Sequence, residues 1–195
     1  MSSAMQEPRR HRITVEHYYR MAEAGLFQPD ERVELIDGEI IDMPAMGVLH
    51  ASALARLDDI LTATVAGRAM VRSQLPLRLS EESEPQPDLA LVKRRGDYYA
   101  ERHPTAADVL LVIELADSTL RYDLEVKVPL YARHGVAETW IVDLANARLH
   151  SYRKPEDGRY AAAASTKLGM VELVSMPGVS VDLAPLLSAA LPRNR

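Results

Sequence analysis

Residues 108–140 read DVLLVIELADSTLRYDLEVKVPLYARHGVAETW, and the rest of the chain can be interpreted from this stretch. It predicts a buried strand, a polar corner, a helix and a second strand. Residues 109–115 are apolar and rich in branched side chains except at Glu114, which is typical of a strand covered on both faces. Because burying an unpaired charge is expensive, Glu114 needs a cation, hydrogen-bonding neighbours or an opening of the sheet.

The helix in this stretch carries Asp123 and Lys127 four residues apart, so both side chains lie on one face. If that face folds back toward the strand end, it brings an amine to Glu114. The same spacing also fits an exposed ion pair between Asp123 and Lys127, which stabilises a helix by only a few tenths of a kcal/mol. The spacing alone leaves both interpretations open.

The segments that precede this stretch predict a helix, a hairpin and a second helix. Thr14 suits the N-cap of the first helix, and Asp37-Gly38 between VELI and EIIDM is typical of a two-residue type I′ turn. Residues 48–65 have helical periodicity, with His50 on the apolar stripe. A histidine at such a position is more often a satisfied core residue than a catalytic one.

The other segments complete a prediction of an α/β fold with a mixed β-sheet core flanked by helices. Residues 70–73 and 75–79 predict strands, and residues 80–86, SEESEPQ, predict a solvated loop. A meander of short strands follows residue 138, and residues 184–190 predict a short closing helix. Since no internal repeat or linker interrupts the pattern, we expect a flexible arm at residues 1–12 and a single domain at residues 13–195.

Composition narrows the function classes. The chain has 195 residues, of which 47% are hydrophobic, and its net charge is −5. This charge argues against a general polyanion-coating protein. The absence of cysteine excludes disulfides, thiolate zinc sites and cysteine nucleophiles. No apolar run is long enough to cross a bilayer, so we expect no membrane association and a cytoplasmic protein.

A second acidic residue stands at the mouth of an apolar strand. Asp88 follows Pro87 and precedes the apolar run LALV. The segment after this strand interleaves tyrosines with Lys93, Arg94 and Arg95, a mixture that can contact phosphates and bases. It fits a solvated connector with two packed tyrosines equally well.

Asp88 and Glu114 would meet if their strands are neighbours that reach the same edge of the sheet. Two carboxylates held close together repel each other, and a divalent cation such as Mg²⁺ or Mn²⁺ relieves the repulsion. Such an ion neutralises charge on a phosphodiester and lowers the pKa of its bound water. A nearby lysine stabilises charge on the phosphoryl oxygens, and Lys127 is placed for that role.

These motifs resemble, in their order and spacing, the Uma2 family of restriction-endonuclease-like proteins, a branch of the PD-(D/E)XK nuclease superfamily. The resemblance runs from residue 14 to about residue 182. Its motifs are weak singly and specific together: VELIDGEI, HASALARLDDIL, QLPLRL, PQPDLALV and VIELADSTLRYDLEVKVPLYARHGVAETWIVD.

The resemblance implies a restriction-endonuclease-like core in which Asp88 and Glu114 are the metal carboxylates. The lysine that usually follows the glutamate by two residues is absent, because position 116 is alanine; Lys127, on the next helix, matches it. Glu34 matches the glutamate contributed by the amino-terminal region, although it also fits an ordinary strand acid. Asp117 adds an acid that could tune the site or cap the helix.

The two carboxylates and the lysine predict a Mg²⁺- or Mn²⁺-dependent hydrolase of nucleic-acid phosphodiesters. The resemblance implies an endonuclease that cleaves DNA, with RNA still open, and a homodimer would follow if both strands are cut. The predicted catalytic residues are Glu34, Asp88, Glu114 and Lys127. Secondary roles are assigned to Gln74, His50, Asp117 and Asp123, and nucleic-acid contacts to Lys93, Arg94, Arg95 and Gln74. Two other hypotheses are a nuclease-fold protein that binds nucleic acid or a protein without cutting, and a hydrolase of small phosphoesters in a closed pocket.

Overall fold

The computed structural model describes residues 9–28 and 30–187. Its centre is a six-stranded mixed sheet with the strand order β3-β4-β5-β6-β7-β8. Two-stranded sheets, β1-β2 and β9-β10, accompany it. The strands are β1 Val33–Ile36, β2 Glu39–Asp42, β3 Ala69–Ser73, β4 Leu89–Lys93, β5 Val109–Ala116, β6 Glu138–Asp143, β7 Arg148–Glu156, β8 Arg159–Lys167, β9 Met170–Glu172 and β10 Ser180–Asp182. The helices are α1 Val15–Glu23, α2 Val48–Val65, α3 Leu120–Tyr122, a π-helical turn Asp123–Lys127, and α4 Val128–Arg133, with short 3-10 turns at Ala106–Asp108 and Ala184–Leu187.

Strand direction places the two predicted metal carboxylates at one edge of the sheet. Strands β4 and β5 are antiparallel, with Leu89 opposite Ile113. Asp88 precedes β4 and Glu114 lies near the end of β5, so they meet at the same edge. Strands β5 and β6 are parallel, as a helical crossover between them requires. The predicted α/β fold with a mixed sheet is confirmed.

Side-chain alternation decides which face carries the charged groups. Ile113 and Leu115 pack with Leu57 of α2 on one face of the sheet. Val112 packs with Tyr131 of α4 on the other face. Because successive strand residues point to opposite faces, Glu114 projects toward the helices that follow β5. The core therefore holds Glu114 on the side where Lys127 lies.

The connection from β5 to β6 contains a local irregularity in its helix. The backbone N–H of Val128 bonds to the carbonyl of Asp123, five residues back, where an α-helix would bond four back. Pro129 follows directly and has no N–H to donate. Single π-helical turns of this kind are frequent at functional sites, and this one carries both Asp123 and Lys127.

The amino-terminal elements follow the prediction closely. Thr14 caps α1 by accepting a hydrogen bond from the N–H of His17 at 3.3 Å. Asp37 and Gly38, with φ of 47° and 75°, form the turn between β1 and β2, and α2 has the predicted bounds. Of the predicted arm, residues 1–8 lie outside the described residues, and Arg10 pairs with Glu39 of β2 at 3.0 Å.

Two local predictions are wrong. Residues 75–79 form no strand and contribute only an isolated bridge from Arg78 to Thr105. Residues 80–86 are not a solvated loop: Ser83 and Glu84 are buried, and Glu84 pairs with Arg78 at 2.6 Å. The segment folds back on the β1-β2 hairpin, where the N–H of Glu84 bonds to the carbonyl of Leu35.

The carboxyl-terminal prediction is confirmed where the structure describes it. Strands β6, β7 and β8 form a meander in the central sheet, and the last two strands, β9 and β10, pair with each other in a separate two-stranded sheet. Residues 184–187 begin the closing helix as a 3-10 turn. Residues 188–190 lie outside the described residues. Among the described helices, none combines the length and the hydropathy needed to cross a bilayer.

Candidate active site

The two carboxylates at the sheet edge are tied to each other through the backbone. The N–H of Asp88 donates to Glu114 Oε2 at 3.2 Å. In return, the N–H of Leu115 donates to Asp88 Oδ2 at 2.8 Å. This reciprocal pair fixes both side chains at the ends of β4 and β5, in the place where the sequence predicts a shared cation.

Lys127 reaches this edge from the π-helical turn. Its Nζ lies 2.7 Å from Glu34 Oε2 and 3.4 Å from Glu114 Oε1. Lys127 is only 3% exposed, so the interpretation as an exposed ion pair with Asp123 is wrong. Burial opposes the charge on the amine, but Glu114 and Glu34 outweigh it and raise the pKa of Lys127. The amine is therefore a fixed positive charge between two glutamates.

Glu114 is the most crowded acid of the group. Burial, together with the neighbouring charges of Asp88, Asp123 and Glu34, raises the pKa of Glu114 to about 8, although Lys127 acts in the opposite direction. The hydroxyl of Tyr131 donates to Glu114 Oε1 at 2.5 Å. The site thus holds more negative charge than its single buried lysine neutralises.

Gln74 and His50 hold the other carboxylate. Gln74 Nε2 donates to Asp88 Oδ1 at 3.2 Å, and His50 Nε2 lies 2.9 Å from the same oxygen. Gln74 has a φ of 51°, a conformation that is uncommon outside glycine, and its N–H bonds to the Asp88 carbonyl at 3.0 Å. The hydrogen bond to Asp88 raises the pKa of His50. His50 therefore lines the cleft beside Asp88, and its auxiliary role stays a prediction.

A cleft of about 180 Å³ opens beside these groups. Asp123 accepts a hydrogen bond from Thr119 Oγ1 at 2.8 Å, and burial raises the pKa of Asp123 to about 6. The predicted residues that line the cleft are Glu34, His50, Gln74, Asp88, Glu114, Asp117, Asp123 and Lys127. The structure therefore brings together all predicted catalytic and auxiliary residues, while their roles stay predictions.

The donor set fits a hard divalent cation. Each carboxylate oxygen has two lone pairs, and the hydrogen bonds described above leave one free on Asp88 Oδ2 and one on Glu114 Oε2. Within residues 9–28 and 30–187, no three His, Asp or Glu side chains form a group able to hold a metal alone. Mg²⁺ is commonly bound by one or two carboxylates, with water and substrate phosphates as the other ligands. Asp88 and Glu114 match that arrangement.

The predicted basic contacts lie elsewhere. Lys93, Arg94 and Arg95 stand at the opposite end of β4 from Asp88 and do not line the cleft. Lys93 Nζ donates to the carbonyl of Ala107 at 2.8 Å, and Arg95 pairs with Asp97 at 2.6 Å. Their contact with nucleic acid stays a prediction. Any such contact would involve a surface separate from the cleft.

The sequence analysis missed three residues that surround the site. Tyr131 stands four residues after Lys127, so helical spacing could have placed it beside Glu114. Tyr122 lines the cleft, and its hydroxyl is buried without a hydrogen-bond partner among the described residues. Burial raises the pKa of Tyr122 to about 12. Arg32 also lines the cleft, two residues before Glu34, in the position that strand alternation assigns to the same face.

Comparison with known proteins identifies a family and a shared fold. Residues 15–184 match the Uma2 family, described as "Putative restriction endonuclease". A crystal structure from Anabaena variabilis, described as a "putative nuclease belonging to DUF820", aligns with a TM-score of 0.66 at 17% identity over 84% of this chain and 90% of that chain. At that identity the likeness shows a shared fold. No curated protein matches. Because the family match spans most of its length, the chain belongs to the Uma2 family of restriction-endonuclease-like proteins.

Proposed function

We propose that this protein is a metal-dependent endonuclease that hydrolyses DNA phosphodiester bonds with a metal-activated water. One observation carries the proposal. Asp88, Glu114 and Lys127 come from separate segments, and all three line one cleft. A chain that needed these residues only for folding would have no reason to gather several acids around one amine beside an opening.

Asp88 and Glu114 would hold Mg²⁺ or Mn²⁺ through their free lone pairs. When bound, the ion supplies a water of lowered pKa and neutralises charge on the phosphate. Gln74 and His50 fix the Asp88 carboxylate, and Tyr131 fixes that of Glu114. These contacts keep the two acids in position without help from the substrate.

Lys127 would stabilise the negative charge that develops on the phosphoryl oxygens. Glu34 holds its amine at 2.7 Å, and the N–H of Gln86 holds Glu34 in turn at 3.1 Å. Glu34 is then a positioning residue for Lys127. The burial of this group excludes bulk water and strengthens each electrostatic contact.

Nicking of a supercoiled plasmid with Mg²⁺ or Mn²⁺ tests the proposal. We expect wild-type protein to nick, Asp88→Asn and Lys127→Ala to lose activity, and Lys167→Ala, an exposed lysine of β8, to keep it. Circular dichroism checks that each variant folds, because Lys127 is buried. Equal activity in all four proteins would assign the nicking to a contaminant.

The hypothesis of a nuclease-fold protein that binds without cutting is favoured by one observation, the alanine at position 116 in place of the usual lysine. Binding of DNA without nicking in either metal would support it. Bis(p-nitrophenyl) phosphate, hydrolysed in the absence of plasmid nicking, would instead support a small phosphoesterase. A homodimer, which would supply two sites for cutting both strands, and a cytoplasmic location are further parts of the proposal.

A further inference from the structure

The cleft has an apolar side as well as an acidic one. Residues 41–46, here called the strap, comprise the end of β2 and most of the connection from β2 to α2. Ile41, Met43, Pro44, Ala45 and Met46 all line the cleft. Pro44, Ala45 and Met46 are exposed, and the four hydrophobic core clusters found among the described residues include no member of the strap. These side chains therefore offer apolar surface to whatever enters the cleft.

The acidic floor is nearly closed to solvent. Asp88 is 7% exposed, and Glu34, Glu114, Asp123 and Lys127 are less exposed still. The strap ends close to the polar corner after β5, because a Cβ at Gly47 would lie 3.4 Å from Asp117 Oδ2. A paired duplex keeps its bases stacked inside a stiff cylinder. An unpaired strand can rotate its backbone and bases independently. It therefore reaches the buried acidic residues of the cleft more readily than a duplex does.

Arg32 is a cation without an acidic partner in this cleft. Among the described residues no carboxylate lies within 4.0 Å of its guanidinium, whereas Lys127 is engaged by two glutamates. The positive charge of Arg32 acts to lower the pKa of His50, so Arg32 lies near the residues that surround Asp88. Arginine suits phosphate because its planar fork can donate two hydrogen bonds to one oxyanion.

Tyr122 adds an unused hydrogen-bonding group. Its buried hydroxyl has no partner among residues 9–28 and 30–187, and it lines the same cleft. A buried hydroxyl without a partner is costly. A ligand that brings a polar atom into the cleft would remove that cost.

We infer that the cleft accepts an unpaired nucleotide segment, with Arg32 on a phosphate, Met43 and Met46 of the strap against a base, and the Tyr122 hydroxyl on the same nucleotide. The inference rests on the proposed function and narrows it to single strands, unpaired ends and locally melted duplex. A supercoiled plasmid, which exposes melted segments, is then cut in preference to relaxed linear duplex.

Binding in the Asp88→Asn background tests the inference without cleavage. The probes are a short fluorescein-labelled single-stranded DNA and the same sequence as a blunt duplex, followed by fluorescence anisotropy in Mg²⁺. We expect the single strand to bind at least about tenfold more tightly, as base contacts to protein side chains allow. Duplex binding as tight as that of the single strand would overturn the inference, and so would a failure to bind either probe.

Two variants separate the proposed contacts. Arg32→Gln weakens single-strand binding and reduces the slope of log affinity against log salt by about 0.7, as the loss of one phosphate contact on a single strand requires. The double variant Met43→Ser, Met46→Ser weakens binding and leaves the slope unchanged. Arg148→Gln and Met170→Ser, which lie outside the cleft, serve as matched controls with wild-type affinity. Wild-type affinity in Arg32→Gln and in the double methionine variant would also overturn the inference.

Cleavage by the wild-type protein distinguishes this inference from the proposed function. Equal cleavage of single strand and relaxed duplex would leave the nuclease standing and overturn the preference. Tight, Arg32-dependent single-strand binding without any cleavage would support the nucleotide cleft and overturn the nuclease.

Discussion

Two buried glutamates on neighbouring strands have opposite surroundings. Glu138 begins β6 and accepts hydrogen bonds from Trp140 Nε1 at 2.9 Å, Arg153 Nε at 2.8 Å and the N–H of Val174 at 2.9 Å. Glu114 lies near the end of β5 with Lys127 and Tyr131 as its side-chain donors, and burial together with three other acids raises its pKa. Glu138 does not line the cleft, whereas Glu114 does.

The contrast shows how burial of an acid is tolerated in two ways. Glu138 has an arginine and two N–H donors, so its charge is balanced within the fold, and it joins β6 to β7 and to the chain after β9. Glu114 lies among other acids, and the negative charge around it is neutralised only when a further cation or a proton binds. A strongly perturbed acid in a cleft indicates a functional site, while a satisfied buried acid indicates a structural one.

Among the predictions that test the contrast between acids inside and outside the cleft, the largest effect is expected on the rate of DNA cleavage. Asp88→Asn removes one of the two charges available to a cation, so we expect plasmid nicking to fall by about a thousandfold, as for loss of one catalytic electrostatic group. Asp143→Asn is the matched control, because Asp143 is buried at the end of β6 but lies outside the cleft. A similar loss of nicking in both variants would mean that position in the cleft is irrelevant.

Substitution of Glu138 should lower the stability of the protein and leave its cleavage activity unchanged. Glu138→Ala leaves the Arg153 guanidinium and the Trp140 indole N–H without their acceptor, and we expect the free energy of unfolding to fall by about 3 kcal/mol. Urea denaturation measures this change. Nicking measured at a temperature where the variant is folded should stay at the wild-type rate; loss of nicking in folded protein would erase the distinction between the two glutamates.

The pH dependence of stability should follow Glu114. Its folded-state pKa of about 8 exceeds the ordinary value of 4.5, so the folded chain binds more protons than the unfolded chain between these pH values. The free energy of unfolding of the metal-free protein therefore falls as pH rises through this window, by up to about 1.4 kcal/mol per pH unit. Asp123, with a pKa of about 6, adds to the fall at the acidic end.

Urea denaturation at a series of pH values checks this prediction. The raised pKa of His50 acts in the same direction, so wild type is compared with Glu114→Gln, which should lose most of the slope between pH 6 and 8. Glu138→Gln is the matched control and should keep the slope. If the free energy of unfolding of Glu114→Gln fell with pH as steeply as that of wild type, a raised pKa of Glu114 would not be the cause of the slope.

The smallest expected effect concerns the basic segment at the far end of β4. Among the polar and ring contacts of the described residues, Arg94 has the Tyr98 hydroxyl, at 3.4 Å, and the Tyr98 ring. If this segment touches nucleic acid, Arg94→Gln weakens binding of a long DNA by about threefold, as one exposed phosphate contact would. Anisotropy with a short oligonucleotide should show no change. Equal weakening for both lengths would place Arg94 at the cleft.

Much of the site could be predicted because its two metal carboxylates stand in or beside apolar strand sequences. An acid inside an otherwise apolar strand is conspicuous, and antiparallel pairing of β4 with β5 brings Asp88 and Glu114 to one edge. Lys127 was ambiguous because a helical spacing does not tell which face is buried. Its burial depends on Glu34, 93 residues away in the sequence, and no local pattern contains that contact.

The wrong predictions also have nonlocal causes. Residues 75–79 have strand composition, but the positive φ of Gln74 turns the chain toward Asp88 and away from β3. Residues 80–86 are acidic, yet Glu84 is buried because Arg78 and the Tyr19 hydroxyl meet it at 2.6 Å. Pro129 follows the π-helical turn and cannot donate to a carbonyl four residues back, so an irregular helix at this point could have been anticipated.

Mn²⁺ titration by calorimetry at pH 7, in buffers of different ionisation enthalpy, tests most directly whether the crowded acids form a cation site. With the pKa of Glu114 at about 8, binding must displace its proton. The structure predicts one bound ion per chain with proton release in wild type and in Glu138→Gln, and loss of both in Asp88→Asn. Absence of Mn²⁺ binding in wild type, or unaltered binding in Asp88→Asn, would contradict the assignment.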